Sequence, residues 1–572
     1  MKQEKTIYLD GKSLLIEDIL NIAENGYKVA IPENIKKEII EKRKQLDEQL
    51  EKYPEIKIYG TNRLHGDLKY VDVDFKTLEK YQWKYINVHN CATGKPLPIE
   101  IVRAIMVIRL NSFAKALSGM RWETIQLMID MLNEGVTPLV LEEGSVGASG
   151  DLVPLAMISA VMIGLAEAEA YYDGKLFSAE EALKKAGLKP TTLGAKEAMG
   201  LTNGSNFIAA MAVFAIRDAE NLINNASIAG ALSLEAIRGE KDAFSEVINK
   251  NRAQKGQLKI SSRIRELIKD SYRMSPEAQK HSFTREKDWD VRVQDRYSFR
   301  AIPQVHGATQ EALERIKEVI KIEINSATDN PLFKEVSIEE MKVGIRKEIF
   351  EKLQKDGVKK LIKGFSGANF HGQPLAAVID YLKITLTSLG LISDKRSFSL
   401  LSEELSYGLP ADLAFETKDA DGGLMIVQYA GAARAAENRV LSTPSSIMSI
   451  STAANQEDFV SMGSNGAVHL QKIIHNLQVI IAVELLCALR GLQLTFDKLP
   501  EKLRSLGKGT SKVYDYLSND DKLPVGKEKE NLKDHYLRTD MDKMIEIVAS
   551  GELIDLLPTI FPKPKKGDDE KK

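Results

Sequence analysis

AVHLQKIIHNLQVIIAVELLCALRGLQL, residues 467–494, contains no proline and a single glycine, Gly491, near its end. After Ile480 its apolar residues fall on most faces, the pattern of a helix enclosed by other helices. Segments 209–237 and 304–325 read the same way. The chain is therefore expected to be mostly α, a long-helix bundle with a smaller mixed N-terminal region. The strand-like stretches are short and early: KTIYLDG (5–11) and EIKIYG (55–60). Pro98 suits the first turn of a helix reaching about Leu117, with Gly119 beyond its end. The next helix starts near Glu123 and stops at Gly135, a C′ glycine. Residues 334–363, rich in Lys and Glu, read as a charged, exposed helical hairpin.

Composition narrows the function. The chain has 572 residues, 43% of them hydrophobic and 28% charged. That is an ordinary globular balance. Lys and Arg number 79 against 81 Asp and Glu, a net charge of −2. Such a balance argues against a globally basic nucleic-acid binder. Two cysteines, Cys91 and Cys487, make neither a disulfide framework nor a multi-cysteine zinc site. The start, MKQEKTIYLDGK, has no apolar h-region, and no uninterrupted apolar run reaches the ~18 residues of a membrane span. The expectation is a cytoplasmic protein with no nucleic-acid partner, no membrane and no metal.

The stretch that carries chemistry is Gly144-Ser-Val-Gly-Ala-Ser-Gly-Asp-Leu-Val-Pro154. Taken alone, such a stretch is more often a flexible loop before a helix. A phosphate cradle lacks its Lys-Ser/Thr. The remaining reading is chemical. Small side chains at Ala148-Ser149-Gly150 let the backbone fold tightly on itself. The Gly150 nitrogen can then attack the Ala148 carbonyl, and loss of water from the ring and from Ser149 leaves 4-methylidene-imidazol-5-one (MIO), a strong electrophile needing no external cofactor.

GSVGASGDLVPLA resembles the MIO loop of the histidine and aromatic amino-acid ammonia-lyase family. Further family-like motifs follow in order: Leu201-Thr-Asn-Gly204, Val293-Gln-Asp-Arg-Tyr-Ser-Phe-Arg300, Thr328-Asp-Asn-Pro331, Gly367-Ala-Asn-Phe-His371 and Ala454-Asn-Gln-Glu-Asp-Phe-Val-Ser-Met462. The resemblance implies a mostly helical homotetramer with each active site built from more than one subunit. It divides the chain into residues 1–205, bearing the catalytic tyrosine and MIO loops, and 206–562, the long-helix bundle with the 334–363 insertion. Residues 563–572 are read as a disordered tail.

The resemblance also assigns roles. The MIO carbon from Ser149 takes up the amine of a small-molecule amino-acid substrate so that its nitrogen can leave. A base must then take the β-proton. The matching tyrosine is Tyr59, in Tyr59-Gly-Thr-Asn-Arg-Leu-His-Gly66, and Arg63 is the candidate charge that lowers its pKa. In this loop Arg63-Leu64-His65 stands where Thr-Gly-Phe is usual. Arg300 is the expected carboxylate clamp, because a guanidinium grips a planar carboxylate at two points. Gln294 and Tyr297 precede it by six and three residues, a spacing that aligns all three on a helical turn. Residues matching Asn203, Gln294 and Tyr297 lie against the MIO ring and its oxygen, where donors stabilise negative charge. Phe370 matches a pocket-lining phenylalanine.

His89 falls where histidine ammonia-lyases carry His, although counting back from Gly94 puts Cys91 in that place. Glu437 is aligned with a family glutamate near the imidazole. A carboxylate and an imidazole suit a ring with one donor and one acceptor nitrogen. Gln456 contacts either substrate or the neighbouring loop. Asp421 either charges the pocket or caps the next helix. The leading expectation is elimination of ammonia from L-histidine to give trans-urocanate. The alternatives keep the chemistry: a lyase or 2,3-aminomutase for phenylalanine or tyrosine, or a lyase for a modified histidine such as ergothioneine. A non-catalytic helical scaffold is disfavoured by the intact Ala-Ser-Gly triad beside Tyr59 and Arg300.

Overall fold

The computed structural model describes residues 5–73, 77–281, 283, 292–342, 344–415, 421–519, 522–523 and 533–562. The expected tail, 563–572, lies outside the described residues. The chain forms two compact units, one of Met1–Phe214, Ile316–Asp380 and Pro444–Val468, the other of Ala215–Arg315, Tyr381–Thr443 and His469–Lys572.

Long helices dominate: Asn206–Ile237, Ile302–Glu323, Gln373–Leu401 and Gly463–Thr495. The run around Ile480–Leu489 is buried on every side, as its unbroken apolar pattern requires. Two of these stretches, Gln373–Leu401 and Gly463–Lys498, are long and apolar enough to cross a membrane by composition, and 72% and 83% of their apolar windows are buried inside the protein. In the second unit a buried charge network links helices. Arg396 Nε donates to Glu484 Oε1 at 2.6 Å and Nη2 to Oε2 at 2.8 Å. Ser233 and Ser393 hydroxyls donate to the same carboxylate at 2.7 and 2.6 Å. Both Glu484 oxygens are thus satisfied, which is what makes a fully buried carboxylate tolerable.

Strands are confined to the first unit among the described residues. Thr6–Tyr8 pairs in parallel with Lys28–Ala30, as KTIYLDG suggests. EIKIYG is not a strand. Ile56 and Ile58 are buried, but their backbone is claimed by one amide: Asn62 Oδ1 accepts from Ile58 N at 2.8 Å and its Nδ2 donates to Ile56 O at 2.9 Å. The helix after Pro98 spans Ile99–Phe113, one turn shorter than expected, because Ala116 takes a left-handed φ of 54°. The next, Trp122–Glu134, ends on Gly135 at φ 81°, as its sequence indicates.

The 334–363 segment corrects the sequence reading. It is a strand, two short helices and a strand, with Leu332–Ser337 antiparallel to Lys360–Phe365. Val336, Phe350, Leu353 and Leu361 pack against Tyr53 and Ile56, while Phe333 and Ile362 pack against Leu46, Leu50 and Ile58. The Gln49 side-chain amide exchanges two hydrogen bonds with Ile362, at 2.7 and 2.9 Å. Charge on the helices masked a hairpin buried on two faces, which has no alternating polar face to read.

Candidate active site

The Ala148-Ser149-Gly150 turn is held by backbone on several sides. Gly147 and Gly150 take φ values of 65° and 83°. That region favours glycine. A Cβ on Gly150 would lie 2.3 Å from Gly204 N, and one on Gly147 would lie 2.5 Å from Ser461 Oγ. Asp151 N donates to Gly204 O at 2.7 Å, and Met462 N to Val146 O at 2.9 Å. Ser461 Oγ donates to Gly147 O at 2.8 Å. Asp151 precedes the helix Leu152–Met162 and clamps the loop: its carboxylate accepts from Ser145 Oγ, Ser464 Oγ and Ile208 N. Burial pushes its pKa up to about 6, against the pull of those hydrogen bonds. A turn this compressed, with glycine mandatory on both sides of Ala148-Ser149, fits an MIO precursor.

Around that turn the first unit gathers most of the expected residues. Ser149 Oγ donates to Glu457 Oε1, and Thr452 Oγ1 donates to Glu457 Oε2 at 2.8 Å. Tyr59 Oη accepts from Gly66 N at 3.0 Å. Burial raises the Tyr59 pKa, and the Glu457 charge adds to the rise. The expected role of Arg63 is therefore corrected. Its guanidinium pairs with Asp72 at 2.9 Å and donates to Tyr70 O at 3.0 Å, and the phenol it was to acidify is pushed the other way.

His89 ends the helix Leu78–Val88. Its Nδ1 lies 2.7 Å from the Tyr85 carbonyl. A carbonyl can only accept, so Nδ1 carries the proton and neutral His89 presents Nε2 as an acceptor. Burial lowers its pKa, favouring that neutral form. Its ring stacks on Tyr85 at 4.1 Å. Cys91, the other reading of the register, is exposed. Asn203 is buried and donates to Met199 O at 3.2 Å. Lys196 and Asp329 of the Thr-Asp-Asn-Pro motif form a buried ion pair at 2.9 Å. Phe370 is half-buried. Gln456 Oε1 accepts from Lys69 Nζ, so of its two expected partners it meets the neighbouring loop.

The second unit holds the others. Gln294, Tyr297 and Arg300 line one open cleft of about 840 Å³. The helix is a single turn, Tyr297–Arg300, and Gln294 precedes it. The three still converge: Arg300 Nη1 donates to Gln294 Oε1 at 2.7 Å, and the guanidinium sits 4.7 Å from the centre of the Tyr297 ring. Arg300 Nε is buried and has no hydrogen-bond partner among the described residues.

Two carboxylates depart from expectation. Glu437, on Met425–Leu441, accepts from Asn476 Nδ2 at 2.8 Å and Arg434 Nη1 at 3.3 Å, and the Asn476 bond leads in lowering its pKa. The glutamate whose charge acts on His89 and Tyr59 is Glu457, next to Gln456 in the same motif. Asp421 does not cap a helix; its carboxylate accepts from Asp534 N at 3.3 Å. Sequence reasoning also passed over Tyr81 and Tyr85, which together with His65 and His89 form one aromatic cluster. Their spacing, with Tyr81, Tyr85 and His89 at i, i+4 and i+8, was the available signal.

Comparison with known proteins places the chain in a family. The family model for aromatic amino acid lyase matches residues 14–519. A protein named histidine ammonia-lyase 2 from Fusobacterium nucleatum is 39% identical over 524 residues, covering 90% of this chain and 94% of its own. Histidine ammonia-lyase from Caldanaerobacter subterraneus is 36% identical, covering 97% and 98%. The crystal structure of histidine ammonia-lyase from Trypanosoma cruzi superposes with a TM-score of 0.80 at 31% identity, covering 98% of this chain and 96% of that one.

Proposed function

The chain belongs to the aromatic amino acid lyase family, and on that premise we propose that it eliminates ammonia from L-histidine, giving trans-urocanate, with an MIO group that forms itself from Ala148-Ser149-Gly150. When present, that group supplies the electrophile that makes ammonia a competent leaving group. The chain's own residues do the rest. Arg300 takes the substrate carboxylate at two points of its guanidinium, which Gln294 orients. Tyr59 removes the β-proton as the phenolate, the form that the Gly66 N–H donor favours against burial. Asn203 and Tyr297 donate to negative charge at the MIO oxygen. His89 Nε2 accepts from the imidazole N–H, and Glu457 supplies the carboxylate expected of Glu437. Loss of the Ser149 hydroxyl as water leaves the Glu457 Oε1 that it occupied open to substrate.

The observation that carries this reading is the bond from Ser149 to Glu457 in a turn where Gly147 and Gly150 admit no side chain. The same reading takes the protein as a cytoplasmic homotetramer with shared active sites, without metal or added cofactor. Apolar side chains such as Val293 and Ile426 are exposed, and so is Tyr297 within the site set. They supply surface that such an assembly would cover. Intact mass tests the chemistry. The wild-type chain should be lighter than its sequence by two waters. Ser149→Ala should keep at least one of those waters, lose activity and retain the fold. A wild-type mass equal to the unmodified sequence contradicts the reading.

A further inference from the structure

We propose that the hydrogen bond between His65 and Tyr81 is a latch that pins the 59–73 loop to the helix Leu78–Val88, so that His65 positions Tyr59 through the Gly66 backbone N–H. This deepens the lyase reading and rests on it for the role of Tyr59.

Tyr59 Oη is fixed by Gly66 N, 3.0 Å away. Gly66 opens the short turn Gly66–Leu68, and His65 is the residue just before it. The His65 ring is half-buried against the helix Leu78–Val88. Its Nδ1 lies 2.7 Å from Tyr81 Oη, its ring meets Tyr85 edge-on at 4.4 Å, and it is 5.6 Å from the His89 ring. Tyr81, Tyr85 and His89 are four residues apart on a helix and make one face. One loop side chain is therefore held by three helix side chains.

The loop's other ties act differently. Leu64 N to Val71 O, Arg63 to Tyr70 O and Arg63 to Asp72 stiffen the loop within itself. They do not join it to the helix. Lys69 reaches Gln456, but that pair is exposed. Exposed charged contacts are weak in water. A part-buried hydrogen bond between two rings held by packing is the stronger tie. A phenylalanine at position 65 could keep the stacking on Tyr85 and could not keep the bond to Tyr81. The chain thus has a polar side chain on this latch where Phe is usual.

The test uses full-length His65→Phe, Tyr81→Phe, the double variant and His65→Asn. Amide exchange of residues 60–73 is measured without substrate, alongside kcat, KM, Tm and intact mass. The expectation is exchange faster by about two- to tenfold in each Phe variant, with kcat lowered by a similar factor and KM, Tm and mass unchanged. The double variant should be no worse than either single change. His65→Asn, which keeps a polar atom near the Nδ1 position, should recover part of the loss. Wild-type exchange and kcat in His65→Phe overturn the latch, as do single effects that multiply in the double variant. A fall in Tm with kcat and KM both altered would make His65 merely structural and also overturn it. Because exchange is read without substrate, a failure to turn over histidine sinks the lyase reading and leaves the latch result legible.

Discussion

His89 and Glu457 set ring preference in this account, and the two can be separated by substitution. With Nδ1 committed to the Tyr85 carbonyl, His89 offers substrate a single acceptor, Nε2. His89→Leu leaves an imidazole N–H unpaired on histidine, which costs about 1–3 kcal/mol, or roughly ten- to a hundredfold in kcat/KM. Phenylalanine has no such group to strand, so the histidine-to-phenylalanine ratio should fall sharply. Glu457→Gln should lower histidine activity more than Glu437→Gln does; the reverse order would restore the sequence assignment. Equal losses on every ring would make His89 a support for Tyr85 and nothing more. Arg300→Lys keeps the charge and loses the two-point grip, so KM should rise by about tenfold, and an unchanged KM and kcat would remove Arg300 from the site. At this scale the sequence was legible wherever a motif fixed the register. It gave no sign of Glu457, because only packing shows which carboxylate meets Ser149. It failed at Arg63 because the pairing partner, Asp72, is a loop residue that no spacing rule points to.

The decisive element is the loop from Tyr59 to Val73, and its stability should depend on acid. Burial lowers the His65 pKa to about 4, with the His89 charge adding to the effect, against an ordinary value of 6.5. The folded group is thus harder to protonate than the unfolded one. The stabilisation from packing neutral His65 is full above the ordinary value and is lost as pH falls through it toward the folded one. Amide exchange in residues 60–73, corrected for its intrinsic pH dependence, should accelerate over this window in wild type and much less in His65→Phe. Equal protection at neutral pH and near the folded pKa in wild type contradicts the assignment. Element reading succeeded for the long helices, where apolar residues recur over many turns and enclosure is written in the pattern. It failed for 334–363 and for EIKIYG. In the first, both sheet faces are buried and the Lys and Glu of the short helices dominate the composition. In the second, alternating Ile56 and Ile58 satisfy a strand pattern, while the Asn62 amide takes the backbone bonds that a strand would need.

For the whole molecule, the expected site residues fall into two sets, one in each compact unit. Ser149, Glu457, Tyr59, His89 and Asn203 lie in the first; Gln294, Tyr297 and Arg300 lie in the second. Fold class and family were legible from the chain because five motifs follow the Ala-Ser-Gly loop in a fixed order and the enclosing helices announce themselves. Ring preference was read from His89 and Glu437, and the Arg63-Leu64-His65 departure says nothing about ring type. The most direct test is to offer the purified full-length protein L-histidine, L-phenylalanine, L-tyrosine and ergothioneine separately and to follow the ultraviolet absorbance of the conjugated acid together with ammonia or trimethylamine release. The account predicts trans-urocanate and ammonia from histidine, with the highest kcat/KM of the four. Turnover of ergothioneine or an aromatic amino acid with none of histidine would contradict it.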